Sequence, residues 1–157
     1  MSAHSILSHL DEQKYEIVKI GITKEGNWKL FEGDLRQILD NTWEHSAPCR
    51  VAILPNGRGE LAVFKEYTYE ILPLDAAFPV LHGLNGEDGS IQGLLQLADL
   101  PYVGCGIAAS ANCMDKVIAS TLFNHYGIPH CKWDWTWSED FEADVQGTLT
   151  RMEQIAP

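Results

Sequence analysis

The stretch "DAAFPVLHGLNGEDGSIQGLLQL", residues 75–97, decides the predicted fold of this chain. It opens with an apolar run that ends at Gly83, as a buried parallel strand would. Ile91 and the leucines after it fall at helical spacing, and two acids precede them where the helix dipole favours negative charge. A strand, a glycine-rich loop and a helix in succession predict a ligand crevice just beyond the carboxyl end of the strand.

Other segments of the chain show either the helical spacing of apolar residues or the alternation of a strand. Helical spacing of apolar residues predicts helices, and alternation between turn residues predicts strands. The predicted helices span residues 2–15, 33–43, 110–129 and 138–157. The predicted strands span residues 15–22, two runs within 49–72 that are separated by a turn at 55–59, then 101–106 and 131–138. Because strands and helices alternate from residue 75 onward, the sequence predicts an α/β fold with a parallel sheet.

Composition narrows the class of protein. A chain of 157 residues suits one domain with a real core, and the formal net charge of -11 argues against nucleic acid as a partner. The four cysteines form no C-x-x-C pair, which argues against a zinc ribbon or a thioredoxin-type site. No secretory signal and no apolar run long enough to span a bilayer is visible, so we expect a cytoplasmic protein with reduced thiols and no membrane partner.

The loop at 82–89 allows two interpretations. His82 follows the predicted strand, the loop glycines let the backbone approach a ligand, and the helix start offers N–H groups to an anion such as a carboxylate. Glu87 and Asp88 could instead cap those N–H groups themselves. The loop would then be a tight connection with a packed histidine.

The whole string favours the first interpretation. "HGLNGEDGSIQG", residues 82–93, resembles the first signature of the D-alanine–D-alanine ligases, which are ATP-grasp enzymes of peptidoglycan synthesis. Residues 78–116 resemble that family nearly residue for residue, and "GIP" at 127–129 continues the match. "IGITKEGNW", residues 20–28, is similar to the D-Ala–D-Ser and D-Ala–D-lactate ligases of vancomycin resistance.

The resemblance implies a domain organisation. Residues 1–112 are expected to form a Rossmann-like pre-ATP-grasp domain with a mainly parallel sheet that lacks its first strand. Residues 113–157 are expected to begin the central ATP-grasp domain, so the family pattern looks truncated at both ends. An absent strand would leave unpaired sheet edges, and the isolated chain is therefore expected to be marginally folded or to associate. A sharp, concentration-independent melt of a monomer would contradict this.

The resemblance also implies an activity and its residues. Such a ligase uses ATP and Mg²⁺ to phosphorylate the carboxylate of D-alanine, and a second D-amino acid or D-hydroxy acid attacks the acyl phosphate. His82 matches the histidine beside the first substrate's carboxyl group, and Glu87 matches a glutamate that orients the pocket or caps the helix. Lys116 matches a lysine that reaches the ATP phosphates, and no metal ligand matches. A homodimer is a further expectation.

Two alternatives accompany this hypothesis. The chain could be inactive alone, as a non-catalytic domain that retains D-amino-acid or partner-protein binding, or it could come from another ATP-grasp ligase. His125, His130 and Cys131 are interpreted as a surface group rather than a metal site. Cys105 and Cys113 are expected to be small buried hydrophobes. The tryptophans of the predicted edge strand could form an exposed patch: Trp133, Trp135 and Trp137.

Overall fold

A computed structural model describes residues 2–155 and shows an α/β arrangement there. The helices are α1 (Ser2–Leu7), α2 (Arg36–Leu39), α3 (Ser90–Leu97), α4 (Ile107–Met114), α5 (Lys116–His125), α6 (Ser138–Ala143) and α7 (Val145–Ile155), with one 3-10 helix at Trp43–Ser46. The strands are β1 (Ile20–Ile22), β2 (Trp28–Leu30), β3 (Arg50–Leu54), β4 (Glu60–Phe64) and β5 (Tyr69–Pro73). No helix in this described range is both long and apolar enough to cross a membrane.

The five strands form one sheet whose neighbours are consecutive in sequence and antiparallel. Alternate residues of β3 and β4 face the same side, where Val51 pairs with Val63 and Ile53 pairs with Leu61. That face packs against α3 and the residues that follow it. The core contains Val51, Ile53, Leu61, Val63, Ile91, Leu95, Ala98 and Leu100, and all eight are buried.

Backbone hydrogen bonds fix the C-terminal end of α3 to the sheet. The Gly59 N–H donates to the Ala98 carbonyl at 2.7 Å, and the Leu74 N–H donates to the Gly59 carbonyl at 2.8 Å. The Leu100 N–H closes the helix end on the Leu95 carbonyl at 2.9 Å. Because α3 is anchored in this way, the loop at its N-terminal end has a rigid support.

The predicted mainly parallel sheet is not confirmed in the described residues. All strand pairs are antiparallel, and the segment 75–83 contributes one isolated parallel bridge, between Ala77 and Tyr102. Phe78 is about half exposed, so the segment is not the buried strand that its apolar composition predicted. A strand needs a ladder over several residues, whereas short turns connect residues 49–73 into locally paired antiparallel strands. The predicted first turn of this region, at 55–59, is confirmed.

A second hairpin turn, at residues 65–68, was not predicted. The Lys65 N–H donates to the Thr68 carbonyl at 2.8 Å, and the Lys65 ammonium pairs with the Glu70 carboxylate across the turn. The turn residues Lys-Glu-Tyr-Thr include none of the Gly, Pro or Asn residues that usually mark such a turn. The second predicted run therefore splits into β4 and β5.

Two predicted long helices are each divided at an aspartate. The helix predicted at 110–129 becomes α4 and α5, because the Asp115 carboxylate accepts the N–H groups of Val117 and Ile118 at 2.9 and 3.0 Å. The helix predicted at 138–157 becomes α6 and α7 within the described range, where the Asp144 carboxylate accepts the Gly147 N–H at 2.9 Å. Aspartate competes with the helix interior and favours a new N-terminus.

Several smaller predictions are also wrong. The predicted N-terminal helix is limited to α1, and only Ile20–Ile22 of the predicted strand at 15–22 forms a ladder. Residues 131–137 have no strand partner among the described residues, so the tryptophans there do not form an edge strand. Cys105 and Cys113 are exposed rather than buried. Periodicity predicted regular elements in these segments but could not supply their tertiary partners.

Two glycine substitutions are expected to have opposite effects on stability. A methyl group at Gly21 would overlap the ring of Trp43, so Gly21→Ala is expected to lower the free energy of unfolding by about 1–3 kcal/mol. Gly93 lies inside α3, and among the described residues a methyl group there would meet nothing within 4 Å apart from its chain neighbours and the nearby backbone of its own helix. Gly93→Ala is therefore expected to raise stability by up to about 1 kcal/mol. Urea denaturation of the two variants measures both effects, and equal shifts of the same sign would contradict the packing at Trp43.

Candidate functional site

The loop between residues 82 and 89 is closed by Glu87. One carboxylate oxygen of Glu87, Oε2, accepts the backbone N–H of Gly83 at 2.6 Å. The backbone N–H groups of Gly86 and Glu87 donate to the Gly83 carbonyl at 3.1 and 2.9 Å. Gly83 has a φ of +74°, a left-handed conformation that favours glycine. Glu87 is therefore tied back to the start of the loop rather than to the helix that follows.

His82 lies beside this carboxylate. Its Nδ1 is 3.9 Å from the second carboxylate oxygen of Glu87, and its side chain is 76% exposed. The geometry does not match a histidine packed against the loop. The ring instead presents a nitrogen to solvent next to a fixed negative charge, and the structure brings together the two residues to which the sequence assigned catalytic roles.

Asp88, not Glu87, closes the start of α3. Its Oδ2 accepts the Asn85 N–H at 2.8 Å and its Oδ1 accepts the Ser90 N–H at 2.9 Å. The Ile91 N–H is also used, by the Asn85 carbonyl at 3.2 Å. The predicted anion site at the helix start is therefore largely filled by the loop itself, and an anionic ligand would depend more on His82.

Acid should open this part of the loop. The backbone N–H of Asn85 and then that of Ser90 lower the pKa of Asp88 below its ordinary value of 3.8. Because the folded pKa is lowered, the stabilising contribution is fully present above pH 3.8 and is lost as the pH falls through the folded pKa. We expect the protection of the Asn85 and Ser90 amides, measured by NMR as their exchange rate relative to the intrinsic rate at the same pH, to fall in that window. Asp88→Asn should remove the pH dependence, and an unchanged profile in that variant would contradict the assignment.

Two buried glycines, Gly86 and Gly89, let the loop pack closely against the neighbouring chain segments. A methyl group at Gly86 would lie 2.6 Å from the Leu81 Cβ and 3.2 Å from the His82 backbone nitrogen. Gly89 has a φ of +96°, and a methyl group there would lie 3.1 Å from the Ile107 carbonyl oxygen. The loop is thus held between the segment that carries His82 and the first residue of α4.

Lys116 is placed apart from this pair. It begins α5, and its ammonium donates to the Cys113 carbonyl at 3.0 Å. Gly89 contacts the first residue of α4, whereas Lys116 follows the last, and an eight-residue helix is about 12 Å long. The Lys116 backbone therefore lies about one length of α4 from the contact that Gly89 makes with this helix.

The described residues form no cluster of acidic, histidine or cysteine side chains that could hold Mg²⁺. Within residues 2–155 no group of three or more His, Cys, Asp or Glu side chains could hold a metal ion. The N–H groups at the start of α5 are used by Asp115, which leaves Lys116 as a lone cationic contact there.

The C-terminal segment forms a separate shallow cavity of about 670 Å³. The rings of Trp135 and Trp137 meet edge to face at 5.1 Å, and Arg151 pairs with Asp134 at 2.6 Å, which lowers the pKa of the Asp134 carboxyl. Trp135 and Trp137 are exposed and Trp133 is partly buried, so the exposed patch considered from the sequence holds for two of its three tryptophans. The nearby histidines pack on aromatic rings, His125 on Tyr126 and His130 on Phe123.

The sequence analysis missed Gln92. This residue is buried in α3, and its amide nitrogen donates to the Gly86 carbonyl at 3.1 Å. A signal was present, because Gln92 directly follows Ile91 at the start of an amphipathic helix whose buried side also holds Leu95. A polar residue on the apolar side of a helix usually has a specific partner.

Comparisons of the sequence and of the structure with known proteins agree on one family of ligases. The family described as "D-ala D-ala ligase N-terminus" matches residues 1–105. The D-alanine–D-alanine ligases of Thermoanaerobacter sp. (strain X514) and Caldicellulosiruptor bescii are 41% and 42% identical over 99% and 98% of this chain. The structure of the VanG D-Ala:D-Ser ligase from Enterococcus faecalis aligns with a TM-score of 0.81 and 34% identity over 96% of this chain. That of the D-alanine–D-alanine ligase from Coxiella burnetii gives 0.79 and 31% over 98%. The chain spans 42–43% of the length of these relatives.

Proposed function

The chain belongs to the D-alanine–D-alanine ligase family, and from this membership we propose that it takes part in the ATP-dependent joining of D-alanine to a second D-amino acid or D-hydroxy acid. The observation that carries the proposal is the exposed His82–Glu87 pair, 3.9 Å apart, in a loop of the family's signature. A cytoplasmic location goes with this function, because ATP is supplied there.

His82 is the residue that would meet the first substrate. The His82 ring has two nitrogens, one of which, Nδ1, faces the Glu87 carboxylate at 3.9 Å. A ring N–H of His82 would donate a hydrogen bond to the D-alanine carboxylate, and this bond is charge-assisted because the acceptor is ionised. It also stabilises the negative charge that remains when this carboxylate becomes an acyl phosphate. Glu87 orients the ring, because its Oε2 is fixed by the Gly83 N–H while its Oε1 faces the imidazole.

The nucleotide side of the reaction would involve Lys116. Lys116 would contact the ATP phosphates once its ammonium leaves the Cys113 carbonyl, and no step is assigned to Mg²⁺ because the described residues do not fit it.

Residues 1–112 would form the pre-ATP-grasp domain and residues 113–157 the start of the central domain. The isolated parallel bridge between Ala77 and Tyr102 is the observation that favours a Rossmann-like parallel sheet in this domain.

A non-catalytic function is the second candidate. The His82–Glu87 pair is formed entirely by residues 82–87, without any contribution from a nucleotide site. A domain of this kind could bind the carboxylate of a D-amino acid without turnover.

A hybrid ligase tests both candidates. In this hybrid the chain replaces the 156 aligned residues of the Thermoanaerobacter sp. ligase, and the rest of that enzyme is kept. We expect phosphate release from ATP that depends on D-alanine and not on L-alanine, with a D-alanyl dipeptide as product. An inactive hybrid, together with calorimetric binding of D-alanine to the 157-residue chain, would favour the non-catalytic function. An inactive hybrid without binding would contradict both.

A further inference from the structure

Gln92 connects the hydrophobic core to the loop that carries His82 and Glu87. We propose that Gln92 is a positioning residue for this pair and acts through the carbonyl of Gly86. The proposal rests on the proposed function for its catalytic consequence, but the contact itself can be tested without any activity.

The orientation of the Gln92 amide is determined by its partner. Its side-chain nitrogen lies 3.1 Å from the Gly86 carbonyl oxygen. A backbone carbonyl only accepts hydrogen bonds, so the amide NH₂ must face it and the amide oxygen must face away. Gln92 itself is only 7% exposed, which keeps competing water from this bond.

The amide oxygen of Gln92 has no partner in the described part of the chain, so the hydrogen bond donated by its amide nitrogen is the part of the side chain that needs a glutamine. Oε1 of Gln92 is buried and has no hydrogen-bond partner among the described residues 2–155. A buried acceptor without a partner is destabilising, and methionine would fill a similar volume without that cost. A glutamine at this position is therefore understandable if the N–H group that it donates to the loop is needed.

Contacts lead from Gly86 to both residues of the pair. Gly86 is buried so closely against the chain that a methyl group on it would lie 3.2 Å from the His82 backbone nitrogen. The Gly86 N–H donates to the Gly83 carbonyl, and the Gly83 N–H donates to Glu87. A displacement of the Gly86 carbonyl would therefore move the backbone of His82 and the carboxylate of Glu87 together.

The other end of the connection is fixed by the core. Gln92 stands in α3 directly after Ile91 and three residues before Leu95, both of which are buried against the sheet. The helix cannot rotate without removing these side chains from the core. Gln92 thus transfers the rigidity of α3 to a loop whose other polar contacts are mostly solvent-exposed.

The first experiment uses the 157-residue chain and measures amide exchange by NMR. We expect Gln92→Met to accelerate exchange of the Gly83 N–H about tenfold, while core amides of β3 and β4 keep their rates. Gln96→Met is the matched control, because Gln96 is exposed on the same helix. Unchanged exchange at Gly83 in Gln92→Met would overturn the proposal. A uniform acceleration across the core would show a general structural role and would overturn it as well.

The second experiment measures kinetics in the hybrid ligase. Gln92→Met is expected to lower kcat for D-alanine ligation by about 10- to 100-fold, as small displacements of positioned groups do. Gln92→Met in a His82→Ala background should have no further effect, because Gln92 acts through that residue. Additive losses would contradict the positioning role. If the parent hybrid is inactive, the proposed function fails, whereas the exchange result still decides whether Gln92 holds the loop.

Discussion

Replacing His82 with alanine is expected to lower D-alanine-dependent turnover of the hybrid ligase by about 10²–10³-fold. The variant removes the donor that would stabilise the negative charge of the D-alanine carboxylate and of its acyl phosphate. The loss should fall mainly on kcat, because this charge develops further in the transition state than in the bound substrate. Initial rates of phosphate release at varied D-alanine concentration separate kcat from KM.

Two controls make the His82 result specific. The His82 side chain is 76% exposed, so its removal should change the free energy of unfolding by no more than about 0.5 kcal/mol. His125→Ala removes another exposed histidine, the last residue of α5, which packs on Tyr126. This variant should leave turnover unchanged. Equal losses in His82→Ala and His125→Ala, or a large drop in stability of His82→Ala, would contradict the catalytic role.

Replacing Leu61 with alanine is expected to lower the free energy of unfolding by about 2–5 kcal/mol. Leu61 is 0% exposed, lies opposite Ile53 in the sheet and belongs to the cluster that packs on α3. Truncation removes apolar burial and leaves a cavity that the two layers can close only in part. Urea denaturation of the 157-residue chain, followed by far-UV circular dichroism, measures the change in midpoint and slope.

Leu84→Ala is the matched control for this measurement. Leu84 has the same side chain but lies in the loop and is 76% exposed, so a change within about 0.5 kcal/mol is expected. Similar losses in the two variants would show that the β3–β4–α3 layer is not the stabilising core. The slope should stay constant if the variant still unfolds in one step.

Much of the region around the candidate site could be predicted from local sequence. Helix α3 is confirmed, because its apolar spacing and its preceding acids are local signals that agree with its burial. The closeness of His82 and Glu87 is also a local property of a short glycine-rich loop. The division of labour between Glu87 and Asp88 was left open by the sequence, since both acids stand where either could cap the helix. It depends on a bond between Glu87 and Gly83 that only the folded loop forms.

Elements that depend on distant partners were predicted less well. The segment 75–83 has the composition of a buried strand, yet a strand exists only where a neighbouring backbone completes its ladder, and here one parallel bridge forms. The breaks at Asp115 and Asp144 reflect competition between a side-chain cap and a continuous helix, which apolar periodicity does not register.

The sequence by itself determined the family of the chain, the position of its signature loop and the helix that follows, because these are encoded in contiguous residues. Tertiary structure alone decided that the described sheet is antiparallel, that Lys116 lies at the far end of α4 from the loop and that Gln92 reaches Gly86. These features depend on which surfaces meet when the core closes around Leu61 and Leu95. Residue type alone does not specify such contacts, because each needs a backbone partner that only the folded chain brings into reach.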